Sequence, residues 1–87
     1  STFFDDDSIL FDPANPDGLK GKNSIISMIS TIFDAHSELE FISRNIFIDK
    51  SVSVIEFELI LNEKKLVGVD IIDWNINKIK ELRAYLY

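Results

Sequence analysis

The pattern that organises the rest of the chain is found in residues 66–74, which read LVGVDIIDW and interrupt an apolar segment with two aspartates. Side chains along a β-strand point alternately to its two faces, so Leu66, Gly68, Asp70, Ile72 and Trp74 share one face. Asp70 therefore lies in the middle of an apolar row. A carboxylate in that position has to be paired, hydrogen-bonded or neutral, because burying an unpaired charge costs several kcal/mol. The pattern is typical of a functional acid and also of a structural buried acid.

A two-residue period, loose over residues 39–48, predicts strands throughout the C-terminal part of the chain. They cover residues 39–48, 51–61, 65–74 and 78–87, and turn-forming residues separate them at positions 49–50, 62–65 and 75–77. Four consecutive strands joined by short turns predict an antiparallel meander. Several of these strands are apolar on both faces, so we expect the sheet to curl over a pocket on one side and to meet another layer or subunit on the other.

Before these strands the hydrophobic period changes from two residues to that of a helix. Apolar residues at helical spacing predict an amphipathic helix over residues 22–36. His36 would lie at its C-terminal end, where an imidazolium interacts favourably with the helix dipole. A catalytic role for His36 is the alternative, but the sequence indicates no obvious nucleophile for it to activate.

The N-terminal region predicts one short strand and two irregular segments. Residues 8–11 read as a strand that stops at Asp12-Pro13, because proline has no N–H to donate to a neighbouring strand. The acidic run Asp5–Asp7 predicts a solvated turn, and residues 13–21, rich in Pro, Gly, Asn and Asp, predict a loop. That loop matches neither the calcium-binding nor the phosphate-binding consensus, so we predict no metal site and no cofactor.

Composition narrows the class of protein. The chain of 87 residues is long enough for one domain, and 46% hydrophobic with 28% charged residues is typical of a globular fold. A net charge of −6 disfavours nucleic acid and anionic membrane surfaces as partners, since both require a basic footprint. The absence of cysteine excludes disulfides and thiol chemistry. Together with the lack of a long apolar segment, this composition favours a cytoplasmic protein.

The order of a strand ending in Asp-Pro, a loop, a glycine, a helix and a long antiparallel sheet resembles the nuclear transport factor two-like superfamily, in particular its SnoaL-like and ketosteroid isomerase-like members. The matching segments are residues 5–13, 21–25, 69–75 and 78–85. The resemblance implies an α+β, cone-shaped fold in which a curved antiparallel sheet packs on a helix, as a single domain over residues 1–87. It also implies that N-terminal helices found upstream in the family are missing here, which would leave the pocket open.

Carried over to this chain, the resemblance implies catalytic roles for two aspartates. Asp12 stands where ketosteroid isomerases have their general base, and Asp70 where they have a protonated acid that donates a hydrogen bond to the enolate oxygen. The family's tyrosine in that site lies on an N-terminal helix ahead of the start of this chain, and Ile29 occupies a helix turn where those enzymes carry a supporting tyrosine. A competing interpretation of Asp12 is that it only initiates the Asp-Pro turn.

The resulting expectation is an isomerase or cyclase that acts on a small hydrophobic carbonyl compound. The expected pocket wall consists of Leu10, Met28, Trp74, Leu82, Ala84 and Leu86. The alternative is a non-enzymatic ligand-binding or dimerisation module of the same fold, which an Arg44 or Arg83 partner closing off Asp70 would favour. In either case the two-faced apolar strands predict a homodimer formed through the outer face of the sheet.

Overall fold

The computed structural model describes residues 3–35 and 38–87, and within these ranges the chain forms one helix and six strands. In chain order the elements are β1 (Phe4–Asp12), β2 (Asn15–Lys20), α1 (Lys22–Ala35), β3 (Leu39–Asp49), β4 (Val52–Leu61), β5 (Lys64–Asn75) and β6 (Lys78–Leu86). The predicted helix and the four C-terminal strands are confirmed, and their bounds differ from the predicted ones by no more than one residue. His36, predicted at the end of the helix, lies outside the described residues.

All six strands belong to one sheet with the order β2-β1-β6-β5-β4-β3. Strands β3 to β6 form the predicted antiparallel meander, in which Asp70 of β5 stands opposite Ile55 of β4 and Ala84 of β6. The sheet is mixed, because β1 runs parallel to β6 with Leu10 opposite Leu82. Parallel neighbours need a long connection, and here β2, the helix and the meander together provide it.

The segment predicted as a loop over residues 13–21 is mostly a strand. β2 pairs antiparallel with β1, with Leu19 opposite Leu10. The turn-forming residues of β2 do not prevent it from pairing with β1. β2 is the edge strand of the sheet, so no further strand requires the N–H that Pro16 lacks. Gly18 has a φ of +95°, a conformation that favours glycine.

The prediction of a solvated turn for the acidic run Asp5–Asp7 is also wrong, because these residues lie inside β1. The strand is fixed on both sides of the run. Phe4 stands opposite Ile79 of β6, and the Oγ of the fully buried Ser8 donates a hydrogen bond of 2.5 Å to the Ile79 carbonyl oxygen. The register with β6 shifts between Phe4 and Ile9, which accommodates the polar segment at an irregular part of the pairing.

Helix α1 packs against β1 and β2 at one end of the sheet. Ile25, in its first turns, is completely buried, whereas Ser24, Ser27 and Ser30 are exposed. No helix in the described parts of the chain is long and apolar enough to cross a membrane. Because the helix reaches only part of the sheet, the far end of β3 stays uncovered, and Ile46, Phe47 and Ile48 are exposed there.

The sheet curves around the helix, and two irregular positions contribute to its shape. The pairing register shifts in β3, where Arg44 is the extra residue between Ser43 and Asn45, and in β6, where Lys80 is the extra residue between the partners of Asp73 and Trp74. A β-bulge of this kind bends the strand and changes which face the following side chains occupy.

Candidate functional site

A cavity of about 480 Å³ lies between helix α1 and the inner, concave face of the sheet. Sixteen described residues line it, of which fourteen are apolar and two are aspartates, Asp12 and Asp70. The helix and the strands β3 and β4 contribute Met28, Ile29, Ile32, Phe33, Leu39, Phe41, Phe57 and Leu59. An apolar wall with a few polar groups is the usual composition of a small-molecule site.

Asp12 ends β1 at the rim of this cavity, and a local hydrogen-bond pattern fixes its side chain. Its Oδ1 accepts a hydrogen bond of 2.7 Å from the backbone N–H of Asn15 and one of 2.9 Å from Asn15 Nδ2. The same Nδ2 lies 3.5 Å from Met28 Sδ on the helix. Both hydrogen bonds use Oδ1, so Oδ2 is the oxygen that is available to a ligand.

Asp70 lies in the middle of β5 and faces the cavity from the sheet. Its cross-strand neighbours are Ile55 and Ala84, and neither offers a hydrogen-bonding side chain. Residues 3–35 and 38–87 contain no ion-pair partner for Asp70, since Arg44 binds Glu58 and Arg83 binds Asp73 and Glu81. Burial without a compensating charge raises the pKa of Asp70 to about 6. A protonated carboxyl group is therefore well populated in mildly acidic solution.

Most residues expected in the pocket wall lie around this one cavity. Asp12 and Asp70 line it together with Leu10, Met28, Leu82, Ala84 and Leu86. Trp74 is not among the lining residues. It lies at the C-terminal end of β5 on the same face as Ile72, and its Nε1–H donates a hydrogen bond of 3.0 Å to Ser53 Oγ, which belongs to the residue opposite Ile72.

Three features of the cavity were not anticipated from the sequence. The first is that Asn15 fixes the side chain of Asp12 by donating its backbone N–H to it. The sequence Asp-Pro-Ala-Asn could have indicated this contact, because a turn-forming aspartate accepts a hydrogen bond from a backbone N–H a few residues later. The rings of Phe41 and Phe57 stack in the wall with centroids 4.9 Å apart. Gly68 allows this arrangement, because a Cβ there would lie 2.7 Å from Phe57 Cζ and closer still to the Tyr85 carbonyl oxygen.

A second depression, of about 520 Å³, lies next to Phe11 of β1 and to Glu81, Arg83 and Tyr85 of β6. Its basic residue, Arg83, is already bound to Asp73 at 2.6 Å and to Glu81. These contacts raise the pKa of Arg83, chiefly through the hydrogen bond to Asp73. The depression does not include Asp70, so the cavity under α1 is the better candidate for chemistry. Within the described residues no group of three or more His, Asp or Glu side chains is arranged to hold a metal ion.

Solved structures show which fold this arrangement belongs to. An NTF2-like protein of unknown function from Cytophaga hutchinsonii matches with a TM-score of 0.84 at 9% identity, covering 99% of this chain and 70% of that one. A protein from Jannaschia assigned as a SnoaL-like polyketide cyclase matches at 0.83 and 12% identity, with 98% and 67% covered. A protein from Agrobacterium tumefaciens assigned as an isomerase of the SnoaL-like family matches at 0.83 and 16% identity, with 99% and 75% covered.

The chain thus has the NTF2-like fold, which it shares with SnoaL-like proteins. No protein-family model matches the sequence, and a search of curated proteins found no match. Because one fold carries many unrelated activities, the likeness specifies the scaffold and leaves the function to be argued from the cavity.

Proposed function

We propose that the chain binds a small hydrophobic carbonyl compound in the cavity under α1 and catalyses a proton transfer. The proton is removed from the carbon next to the carbonyl group and returned to a different carbon. The observation that carries this proposal is that two carboxyl groups with different surroundings, those of Asp12 and Asp70, line a single apolar cavity. Enolisation needs a base for the carbon proton and a donor for the developing oxyanion, and two such carboxyl groups meet both requirements.

In this proposal Asp12 is the base. Asn15 holds Oδ1, which leaves Oδ2 to remove the proton from the substrate carbon and to return it to a different carbon. Asp70 is the acid, and in its protonated form it donates a hydrogen bond to the carbonyl oxygen. The apolar wall strengthens that hydrogen bond by excluding water. The fold likeness to proteins assigned as SnoaL-like isomerase and cyclase agrees with this chemistry.

Deuterium exchange tests the proposal without knowledge of the natural substrate. Decalone, a bicyclic ketone with acidic protons next to its carbonyl, is incubated with the protein in D2O, and mass spectrometry follows the uptake of deuterium. We expect exchange above the protein-free rate, with a loss of about 100-fold in Asp12→Asn, which removes the base. Asp70→Asn is expected to lose about tenfold, since its amide is a weaker donor than a carboxylic acid. Asp49→Asn, a change at an exposed acid on β3, is the control.

The pH profile gives an independent check. The rate should fall as pH rises through about 6, because Asp70 then loses the proton with which it binds the oxyanion. A rate that does not depend on Asp12 and Asp70 would contradict the proposal.

The alternative is a ligand-binding module without catalysis. The observation in its favour is that Asn15 holds Asp12 in the manner of a turn-forming aspartate, which is a structural role. Decalone that binds in calorimetry but exchanges no faster than in buffer would support the module over the isomerase.

The homodimer expected from the sequence stays a prediction. It is supported by the outer face of β4 and β5, where Val54, Val67, Val69 and Ile71 are only half-buried and α1 does not reach. Sedimentation at micromolar concentration tests it, and a single monomeric species would contradict it.

A further inference from the structure

Among the residues that the structure describes, the ionisable side chains that line the cavity under α1 all have the same sign. Asp12 at the end of β1 and Asp70 in β5 are the two charged residues among the described residues of the wall, and the other fourteen are apolar. Charges interact strongly in such surroundings because the apolar wall keeps the local dielectric low. A ligand that carries a negative charge is therefore opposed, and one that carries a positive charge is favoured.

Other partly buried carboxylates of this sheet have basic partners within the protein. Glu58 is bound by Arg44 and Lys65, and Asp73 by Arg83. For Asp70 the described residues provide no such partner. The side chains facing it from β4 and β6 are Ile55 and Ala84, and the helix presents only apolar groups to the cavity. Among the described residues of the wall the other titratable group is Asp12, which is also an acid, so these residues leave a positive charge next to Asp70 to the ligand.

The apolar part of the wall also suits a cation with a hydrocarbon body. The stacked rings of Phe41 and Phe57 line the cavity, and aromatic faces attract cations. We infer that the cavity binds small hydrophobic amines in their ammonium form, with Asp70 as the counter-charge and Asp12 as a second carboxylate. This inference rests on the same cavity as the proposed function, but it requires no catalysis.

Amines and carbonyl compounds should then show opposite dependence on pH. An ammonium ion needs Asp70 ionised, and burial raises the pKa of this residue to about 6, so amine affinity increases as pH rises through that value. A ketone needs the protonated form and should lose affinity over the same range. Between pH 5 and pH 8 the ionised fraction changes about tenfold, and amine affinity should change by about the same factor.

Three compounds with one hydrocarbon cage provide the test. Aminoadamantane is cationic, adamantanone is neutral, and adamantane carboxylate is anionic, and calorimetry measures the binding of each at pH 5 and pH 8. We expect the amine to bind about tenfold more tightly at pH 8 than at pH 5, and the carboxylate to bind more weakly than the amine at both pH values. Asp70→Asn should weaken amine binding about tenfold at pH 8 and remove its pH dependence, whereas Asp49→Asn, which changes net charge equally at an exposed site, should leave both unchanged.

The outcomes separate this inference from the proposed function. An amine that binds no better than the carboxylate, or whose binding persists unchanged in Asp70→Asn, overturns the inference, and if adamantanone still binds more tightly at pH 5 the proposed function stands. Amine binding with the expected pH dependence supports the inference even if decalone shows no exchange. A melting curve of each variant at both pH values confirms that the compared proteins are folded.

Discussion

Asp70 and Glu58 are both acids on the central strands of the sheet, yet their surroundings are opposite. Glu58, on the outer face of β4, is only 7% exposed and is bound by Arg44 and Lys65. Asp70, on the inner face of β5, faces an apolar cavity and has no basic partner among the described residues. Hydrogen bonds from Lys65 first, and then from Arg44, outweigh burial and lower the pKa of Glu58, whereas burial alone raises that of Asp70.

The difference shows how a structural acid can be told from a functional one. Loss of water disfavours the charged form of both groups, so burial by itself does not distinguish them. What distinguishes them is whether the protein supplies the compensating charge. Arg44 and Lys65 compensate the charge of Glu58, whereas Asp70 has no basic partner among the described residues and lies at the cavity wall, where a ligand can reach it.

The largest expected effect comes from Gly68, which shares the inner face of β5 with Asp70. In Gly68→Ala the new Cβ would press on the Tyr85 carbonyl oxygen and the Phe57 ring. Because the first of these is backbone, β6 has to move, and we expect a loss of about 2–3 kcal/mol in the free energy of unfolding, measured with urea. The wall around Asp70 should loosen and admit water, so NMR titration of the carboxyl carbons should show the pKa of Asp70 closer to its ordinary value. A variant as stable as the parent would mean that the wall is not tightly packed.

Asp70→Asn has the next largest effect, and its sign is positive. The folded-state pKa of about 6 lies above the ordinary value of 3.8, so the contribution of Asp70 to stability is complete below pH 3.8 and is lost as pH rises through about 6. Asparagine keeps the shape without the ionisation. The full difference corresponds to at most ~3 kcal/mol, and water in the cavity reduces it, so we expect the variant to be about 1–2 kcal/mol more stable at pH 8.

At pH 3.5 the Asp70→Asn variant and the parent should unfold at the same urea concentration. Asp49→Asn should match the parent over the whole range, because this acid is exposed. A parent protein that gains stability over Asp70→Asn as pH rises would show that Asp70 has a cationic partner after all, and would contradict both its proposed roles.

Much of the scaffold follows from the alternation of apolar residues. One face of the meander lines the cavity under the helix, and the two-residue period of β-strands places Asp70 on that face together with Gly68. The sequence of β2 has no such period of apolar residues. Its conformation is set by backbone pairing with β1 at the edge of the sheet, and its side chains are mostly exposed or half-buried. The strand conformation of the acidic run Asp5–Asp7 was not predicted for a similar reason. The contacts that fix this part of β1 are made by the neighbouring residues Phe4 and Ser8.

The alternation predicts on which face a residue of β5 lies, but it does not predict how far along the strand the cavity extends. Trp74 keeps the inner face that it shares with Ile72, but it lies beyond Ile72 at the end of β5, where it donates a hydrogen bond to Ser53, and it does not line the cavity. Arg44 follows Ser43, which stands opposite the cavity residue Phe57, so alternation places Arg44 on the outer face, where it binds Glu58 and not Asp70.

The smallest expected effect is that of Glu58→Gln, and it has the opposite sign to Asp70→Asn. The lowered pKa of Glu58 means that its contribution to stability is present above the ordinary value of 4.5 and is lost as pH falls through the folded-state pKa. The variant should therefore be less stable than the parent at pH 7, and the two should converge in acid. The loss should be modest, because Arg44 and Lys65 are 59% and 57% exposed and glutamine still accepts their hydrogen bonds. Urea unfolding at low and high salt measures it, with a smaller difference expected at high salt. If Glu58→Gln instead gains stability at pH 7 as Asp70→Asn does, the ion pairs do not offset burial, and the presence of a partner no longer separates the two acids.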